Sequence, residues 1–336
     1  MPFFSIVIAT HNRPFLFARA LKSVLVQSCP DIEIIVINDG SATEHQLEYD
    51  SFMDTVKSDR VHYFTLPSTP QGHGQSFVIN FGASKACAPY LCFLDDDDLW
   101  IDPHHLARAQ TVITALNGSL DLYMANQAAF LEDERQPGPN WLGDLPGILA
   151  KCGNRPDNFG THTVTIEEVL RSRGFCHLNT LIVRRALYDE IGGMEGSIRW
   201  ECDHDLYLRL IDRAVVMKYA PVTVAQHNIP DPRKAASMTT MLSEIERRLF
   251  QLTVFMRARR LTRHRNIHAY ADVHYVYTLK RIAEAYARAG RHVEAAQYAY
   301  AALCARPSVK WAGYTAWSKI RALVQSVSLS RHPQHN

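Results

Sequence analysis

The segment Tyr90-Leu-Cys-Phe-Leu94, followed directly by Asp95-Asp-Asp-Asp98 and Leu99-Trp100, constrains this chain more than any other. Tyr90 to Leu94 has the length and composition of a strand buried on both faces of a parallel sheet. Four adjacent carboxylates repel one another, and nothing in a solvated loop requires them to follow a buried strand. Open α/β sheets place their ligands just beyond the carboxyl ends of the strands. A hard cation held by two of these oxygens, with phosphate on its far side, would relieve the repulsion. The competing account is an acidic turn capping the next helix, and the flanking sequence decides between them.

The chain has 336 residues, 47% of them hydrophobic and 21% charged, which predicts an ordinary globular protein with one large domain and an appendage. A formal net charge of +2 is too mild to imply nucleic acid, and no such partner is expected. The seven cysteines are scattered, odd in number and without CxxC spacing, which favours reduced thiols in a cytosolic compartment. No signal peptide and no 18-residue apolar span is read from the sequence. The expectation is a cytoplasmic protein, soluble or held peripherally at the inner face of a membrane.

Phe3 to Ala9 reads as the first buried strand, with Thr10-His-Asn-Arg13 at its carboxyl end. Asn12 is predicted to cap the helix that Pro14 opens. Ile32 to Ile37 is a second buried strand ending in Asn38-Asp39-Gly40-Ser41, so the chain begins as β-loop-α-β with polar residues at both strand ends. Gln71-Gly-His-Gly-Gln75 lacks the third glycine of a dinucleotide fingerprint. Residues 132 to 162 form a long insertion without clear periodicity, the kind of loop that serves as a lid or is partly disordered. Thr165-Ile-Glu-Glu168 is a capping box. Trp200-Glu-Cys-Asp-His-Asp205 crowds carboxylates ahead of a buried helix, and Val215 to Ala225 reads as the last sheet strand, with His227 beyond it.

In this order the pieces resemble family 2 glycosyltransferases of the GT-A fold, over roughly residues 3 to 230. Ser5-Ile-Val-Ile-Ala-Thr-His-Asn-Arg13 is similar to that family's opening strand and nucleotide loop, and Val36-Ile-Asn-Asp-Gly-Ser41 to its second loop. Asn80 stands where the family carries Arg-Asn, with Ile79 replacing the arginine. Phe93-Leu-Asp-Asp-Asp-Asp-Leu-Trp100 matches the DxD segment, and Ile191-Gly-Gly-Met194 with Cys202-Asp-His-Asp-Leu-Tyr-Leu-Arg209 the segment of the base aspartate. Family members usually have Glu-Asp where this chain has Cys202-Asp203.

The resemblance implies an α/β fold, a nucleotide-diphospho-sugar transferase of Rossmann-like sandwich type with a C-terminal all-helical extension. It implies an inverting, metal-dependent transferase working on a UDP-sugar and a glycan or lipid-linked glycan acceptor. Asp97 and Asp95 would be ligands of Mn²⁺ or Mg²⁺, with His227 as a further metal or diphosphate ligand. Asp96 would reach the ribose, since alternation along an extended segment puts it opposite Asp95 and Asp97. Asp39 and the loop of Thr10, Asn12 and Arg13 would hold base and ribose. Asp203 would be the base that takes the acceptor proton, with Glu201 and Asp205 as substitutes. His177 and Asn179 are candidates for facing the acceptor, and Arg233 and Ser237 for closing over the diphosphate.

The expected division is a transferase domain over residues 1–232 and a helical region over 233–336. The latter carries one tetratricopeptide-like unit from Ile282 to Pro307, which cannot bury its face alone. Lys310 to Arg321 mixes aromatic and basic residues at helical spacing, a pattern for a packing helix or for peripheral membrane contact. Two other functions are weighed. A nucleotidyltransferase usually opens with a glycine-rich loop, which Thr10-His-Asn-Arg13 is not. A non-catalytic scaffold would have no need of both the DxD segment and Asp203.

Overall fold

The computed structural model describes residues 1–69, 72–131, 133–137, 141–229 and 241–331, with side chains described through residue 325. The chain divides into two compact units, Met1–Asp231 and Pro232–Asn336.

The first unit opens with β1 (Phe4–Thr10), α1 (Pro14–Leu25), β2 (Ile32–Asn38), α2 (Thr43–Met53), β3 (Val61–Thr65), α3 (Gln75–Lys85) and β4 (Tyr90–Asp95). It continues through β5 (Leu99–Trp100), α4 (His105–Ala115), β6 (Leu122–Leu131), β7 (Glu134–Arg135), α5 (Leu145–Lys151), β8 (His162–Thr163) and α6 (Ile166–Val169). A 3₁₀ turn at Leu178–Thr180, β9 (Leu181–Arg184), α7 (Arg185–Glu190), α8 (Cys202–Arg213) and β10 (Met217–Asn228) complete it.

The sheet has the strand order β3-β2-β1-β4-β9-β6-β10-β5. β1, β2 and β4 are nearly continuous apolar runs because helices cover both faces of the sheet there. On one face α1 presents Phe17, Ala20, Leu21 and Val24 at helical spacing, all of them fully buried. On the other, α3 comes so close that a Cβ at Gly82 would lie 2.4 Å from Val7 Cγ1. Thr10 pairs with Asn38, and Ala9 with both Ile37 and Asp95, so three strands finish level and present their polar residues together.

Three expectations are corrected here. β4 does not lie in an all-parallel sheet: it runs parallel to β1 but antiparallel to the short β9, which also pairs antiparallel with β6. Asn12 does not cap α1. It has φ 56°, and its side chain accepts the N–H of Ala42, linking the first two strand-end loops. The insertion is not without regular structure, since it holds α5, with Leu145 and Leu149 buried, between two short edge strands. The Thr165 capping box forms as read, with Thr165 and Glu168 bonded reciprocally.

The second unit contains α9 (Glu244–Leu261), α10 (Arg265–Arg288), α11 (His292–Ala305) and α12 (Val309–Arg331). Gly290, at φ +73°, turns α10 into α11, where Tyr286 stacks on Tyr298 with ring centroids 5.5 Å apart. This hairpin spans the segment expected to form a tetratricopeptide-like unit. Its faces are covered within the unit: Ile245 and Leu249 of α9 pack on Ile282 and Ala295, and Trp311 of α12 packs on Ala299 and Ala302. Trp311 Nε1 and Thr315 Oγ1 both donate to the carbonyl of Ala299, at 2.8 and 3.2 Å. Among the described residues no helix is long and apolar enough to cross a membrane.

Candidate active site

The four aspartates do not continue β4 as an extended segment. Asp98 donates its N–H to the carbonyl of Asp95 at 3.1 Å, closing a turn between β4 and β5. The turn sends successive carboxylates to different neighbours, where an extended chain would simply alternate them. Asp95 takes Gln75 Nε2 at 2.8 Å, while its own N–H donates to Asn179 Oδ1 at 2.9 Å. Asp96, buried, accepts Thr10 Oγ1 at 2.7 Å and Arg13 Nη1 at 3.2 Å. The same Arg13 nitrogen reaches Asp97 at 2.8 Å. Asp98 is wholly buried and accepts from Asn179 Nδ2, the N–H of Asn228 and His227 Nδ1, at 2.5, 2.7 and 2.7 Å.

Crowding these charges away from water has an electrostatic cost. Burial first, then Asp98 and Asp97, hold the Asp95 carboxyl well above its usual range. Burial, with Asp98 and Asp96 beside it, pushes Asp97 up to about 7 even with Arg13 in contact. Burial would lower the His227 imidazole, but its bond to Asp98 outweighs that and lifts it to about 9, leaving a cation. Arg13 and His227 are therefore the site's own counter-charges.

Asp203 lies in the first turn of α8, behind Glu201, which takes a left-handed φ of 58°. Its Oδ1 accepts the N–H of His204 at 2.9 Å, and burial raises its carboxyl to about 6. His177 stands between the two acidic groups, with Nε2 3.6 Å from Asp203 Oδ2 and 4.0 Å from Asp95 Oδ2. Its Nδ1 accepts the N–H of Asn179 at 3.3 Å, which leaves the ring proton on Nε2. Burial, followed by the charge of His227, drives this imidazole down to about 3, so it is neutral. The two substitutes for Asp203 are engaged elsewhere: Asp205 with Arg209 at 2.8 Å, and Glu201 with His204 at 3.4 Å.

The structure thus gathers Thr10, Arg13, Asp96 and Asp97 on one side, and Asp95, His177 and Asp203 on the other. Asp39 accepts from the His73 and Gly74 N–H groups at 2.9 and 3.1 Å and from His73 Nδ1 at 2.7 Å. His227, the expected further metal or diphosphate ligand, sits on β10 itself, with its Nδ1 bonded to Asp98 at 2.7 Å. Among the described residues no three histidine, cysteine, aspartate or glutamate side chains form a group that holds a metal by themselves. Arg233 and Ser237 lie outside the described residues.

Sequence reasoning missed Asp98 as an internal anchor, Gln75, Tyr49 and Trp141. Tyr49 OH lies 2.7 Å from Thr10 Oγ1, and the Trp141 ring lies 4.9 Å from that of His227. The single tryptophan of the insertion was the one signal that pointed to the last of these. Asn80 bolts α3 to the segment before α8: it accepts from Tyr188 OH and the N–H of Met194, and donates to Met194 O.

An α/β sheet covered by helices on both faces, with carboxylates clustered at its level strand ends, is the GT-A glycosyltransferase fold. The sequence pattern of Glycosyl transferase family 2 matches residues 5–174. The chain belongs to glycosyltransferase family 2 and is a glycosyltransferase. It is similar to the PGL/p-HBAD biosynthesis glycosyltransferase of Mycobacterium bovis, 28% identical over 228 residues, 68% of this chain and 77% of the relative. It is 29% identical over 155 residues to an uncharacterized glycosyltransferase of Nostoc sp.; that match spans 45% of this chain and less than half, 46%, of the relative. Among solved structures, the S. aureus TarS 1-349 fragment in complex with UDP-GlcNAc superposes with a TM-score of 0.61 at 13% identity, covering 91% of this chain and 82% of that one. The mannosyltransferase PcManGT from Pyrobaculum calidifontis, in complex with GDP-Man and Mn²⁺, gives 0.58 at 17% identity, covering 97% and 87%. This membership sets aside the nucleotidyltransferase and the inert scaffold.

Proposed function

We propose that the chain transfers a sugar from a UDP-sugar to a glycan or lipid-linked glycan with inversion of configuration, in a single displacement. The observation that carries the reading is the pairing of the carboxylate turn with Asp203 across a neutral His177. One side is suited to a bound diphosphate, the other to proton removal.

Mn²⁺ or Mg²⁺ fits the donor set of the turn. The ligands would be hard oxygens of Asp95 and Asp97, whose crowding already raises both carboxyls, and a cation there would offset that repulsion. Two carboxylates without a third protein ligand leave room for the donor's phosphates to complete the shell. When bound, the cation would stabilise charge growing on the departing diphosphate. Arg13, fixed on Asp96 and Asp97, supplies a permanent positive charge beside it. Thr10, Asn12, Asp39 and Asp96 line the strand-end loops where base and ribose would lie. His227 is assigned here to Asp98, as counter-charge and not as ligand.

Asp203, raised to about 6, is mostly ionised at neutral pH yet close enough to it to accept a proton usefully. The two solved neighbours are bound to UDP-GlcNAc and to GDP-Man with Mn²⁺, which supports a nucleotide-sugar donor and a divalent ion. A relative from Campylobacter jejuni, 34% identical over 98 residues, is named a GalNAc(5)-diNAcBac-PP-undecaprenol beta-1,3-glucosyltransferase, which supports a lipid-linked glycan as acceptor. That product class supports a place in the cytoplasm, at the inner face of a membrane. The deciding experiment is thermal stabilisation by UDP-, GDP- and dTDP-sugars with and without Mn²⁺, followed by the anomeric configuration of the product. Stabilisation by a UDP-sugar alone among the three, and a β product from an α-linked donor, are expected. A product that keeps the donor's configuration overturns the mechanism.

A further inference from the structure

The outward side of α12 breaks the rule that a surface helix turns polar residues to water. Its packed side is made by Trp311, Thr315 and Ser318, all buried. A helix turns 100° per residue, so Val309, Ala316, Ile320, Leu323 and Val324 fall within an arc of about 100° on roughly the opposite side. Four of them are large and open: Val309 is 93% exposed, Ile320 60%, Leu323 68% and Val324 60%. Lys310 and Arg321 fall just outside one margin of this arc, and Lys319 just outside the other. Trp317, 47% exposed, marks the first margin with the Arg321 guanidinium 5.9 Å from its ring. At the second, the Lys319 ammonium lies 4.5 Å over Tyr300 of α11. From Val309 to Arg331 there are four basic residues and no acidic one.

We infer that α12 lies in the plane of an anionic membrane surface, its apolar arc in the acyl boundary and its lysines and arginine on the headgroups. An apolar stripe bordered on both margins by cations and aromatic rings has the form of an interfacial helix. Long basic side chains at the margins reach outward to phosphate while their stems stay in apolar contact. Charge decides the occupant. A second copy laid on this face would bring lysine and arginine against lysine and arginine, with no carboxylate on the helix to pair them. Anionic headgroups complement every charge along it, each basic residue adding about 1 kcal/mol of attraction near such a surface. The inference extends the proposed lipid-linked acceptor by naming where the enzyme would meet it, but it stands on α12 alone.

The test is cosedimentation of the full chain with phosphatidylcholine vesicles, with and without phosphatidylglycerol, alongside nucleotide-sugar stabilisation of the same samples. Three cations predict binding on the order of 100-fold tighter to the anionic vesicles, lost at high salt. Trp317 fluorescence should shift to the blue on binding. Ile320→Glu with Leu323→Glu should abolish binding, and Lys319→Glu with Arg321→Glu should remove the preference for anionic lipid. All four positions are exposed, so folding and donor stabilisation should be unchanged. Equal or absent binding to both vesicle types overturns the inference. So does concentration-dependent self-association without lipid that Ile320→Glu abolishes, since a second copy then covers the face. Loss of donor stabilisation in the wild-type chain would count against the donor reading and leave the membrane result standing.

Discussion

Nε2 of His177 stands 3.6 Å from Oδ2 of Asp203, and its Nδ1 is already committed to the N–H of Asn179. A histidine fixed in that tautomer offers a proton toward the carboxylate without carrying charge. If Asp203 is the base, Asp203→Asn should lower turnover by roughly 10² to 10⁴. Donor affinity should stay within about a factor of two, because the lost contact belongs to the transition state. Steady-state kinetics and donor titration on the same variant check it. An equal loss in donor affinity would move Asp203 to the nucleotide side.

The acid limb of kcat/KM should report the same group. Asp203 must be ionised to accept a proton and titrates at about 6, so activity should rise through pH 6 and level above it. His177, held down to about 3, contributes no limb of its own in this range. A profile that is flat from pH 5 to 8 would contradict the assignment.

Stability of the metal-free protein should run the other way. The folded carboxyls of Asp97 and Asp203 titrate at about 7 and about 6, above their ordinary values near 4. Their contribution is therefore fully present below the unfolded value and is lost progressively as pH rises from about 4 through the folded values of about 6 and about 7. Melting temperature should fall over that window in EDTA, and Mn²⁺ should reverse the fall at the upper end. A melting curve insensitive to Mn²⁺ at pH 8 would remove Asp97 from the ligand set.

Asp97 and Asp98 should separate cleanly when each is changed. Asp97→Asn, at a half-open position, should weaken metal-dependent UDP-sugar binding at least about tenfold and alter stability by less than about 1 kcal/mol. Asp98→Ala leaves the Asn179 amide and the Asn228 N–H without their acceptor, lets His227 fall back to neutral, and should cost at least about 2 kcal/mol of stability. Urea denaturation and donor titration on both variants make the comparison.

The local elements were legible because their causes are local. Apolar runs gave β1, β2 and β4, helical spacing gave α1, and Thr165 with Glu168 gave a cap that forms as read. The long-range pairings were not, because neighbours in sequence carry identical letters. Nothing distinguishes Asp98 from Asp97 until the turn buries one against β10 and leaves the other beside Arg13. His177, Trp141 and His227 meet through three separate segments, and no spacing records that meeting. Asn12 reads as a cap by composition, yet its left-handed backbone turns its amide toward Ala42. β9 looks like any short apolar strand, and its antiparallel direction is set by the partners on either side of it.

The turn at Asp95–Asp98 makes these four residues unequal addresses, not one acidic patch. Each side chain's destination depends on its count from the end of β4, so the run behaves as a reading frame. Deleting one aspartate would leave a chain that still spells three in a row. Counted from β4, the three that remain would keep the places of Asp95, Asp96 and Asp97, but Leu99 would fall where Asp98 meets Asn179, His227 and the Asn228 N–H. A substitution here silences one contact, whereas a single-residue deletion removes the buried anchor and shifts Leu99 and Trp100 against Gln226 and Ala225 at the same time. Length is therefore the more stringent property of this segment, ahead of composition.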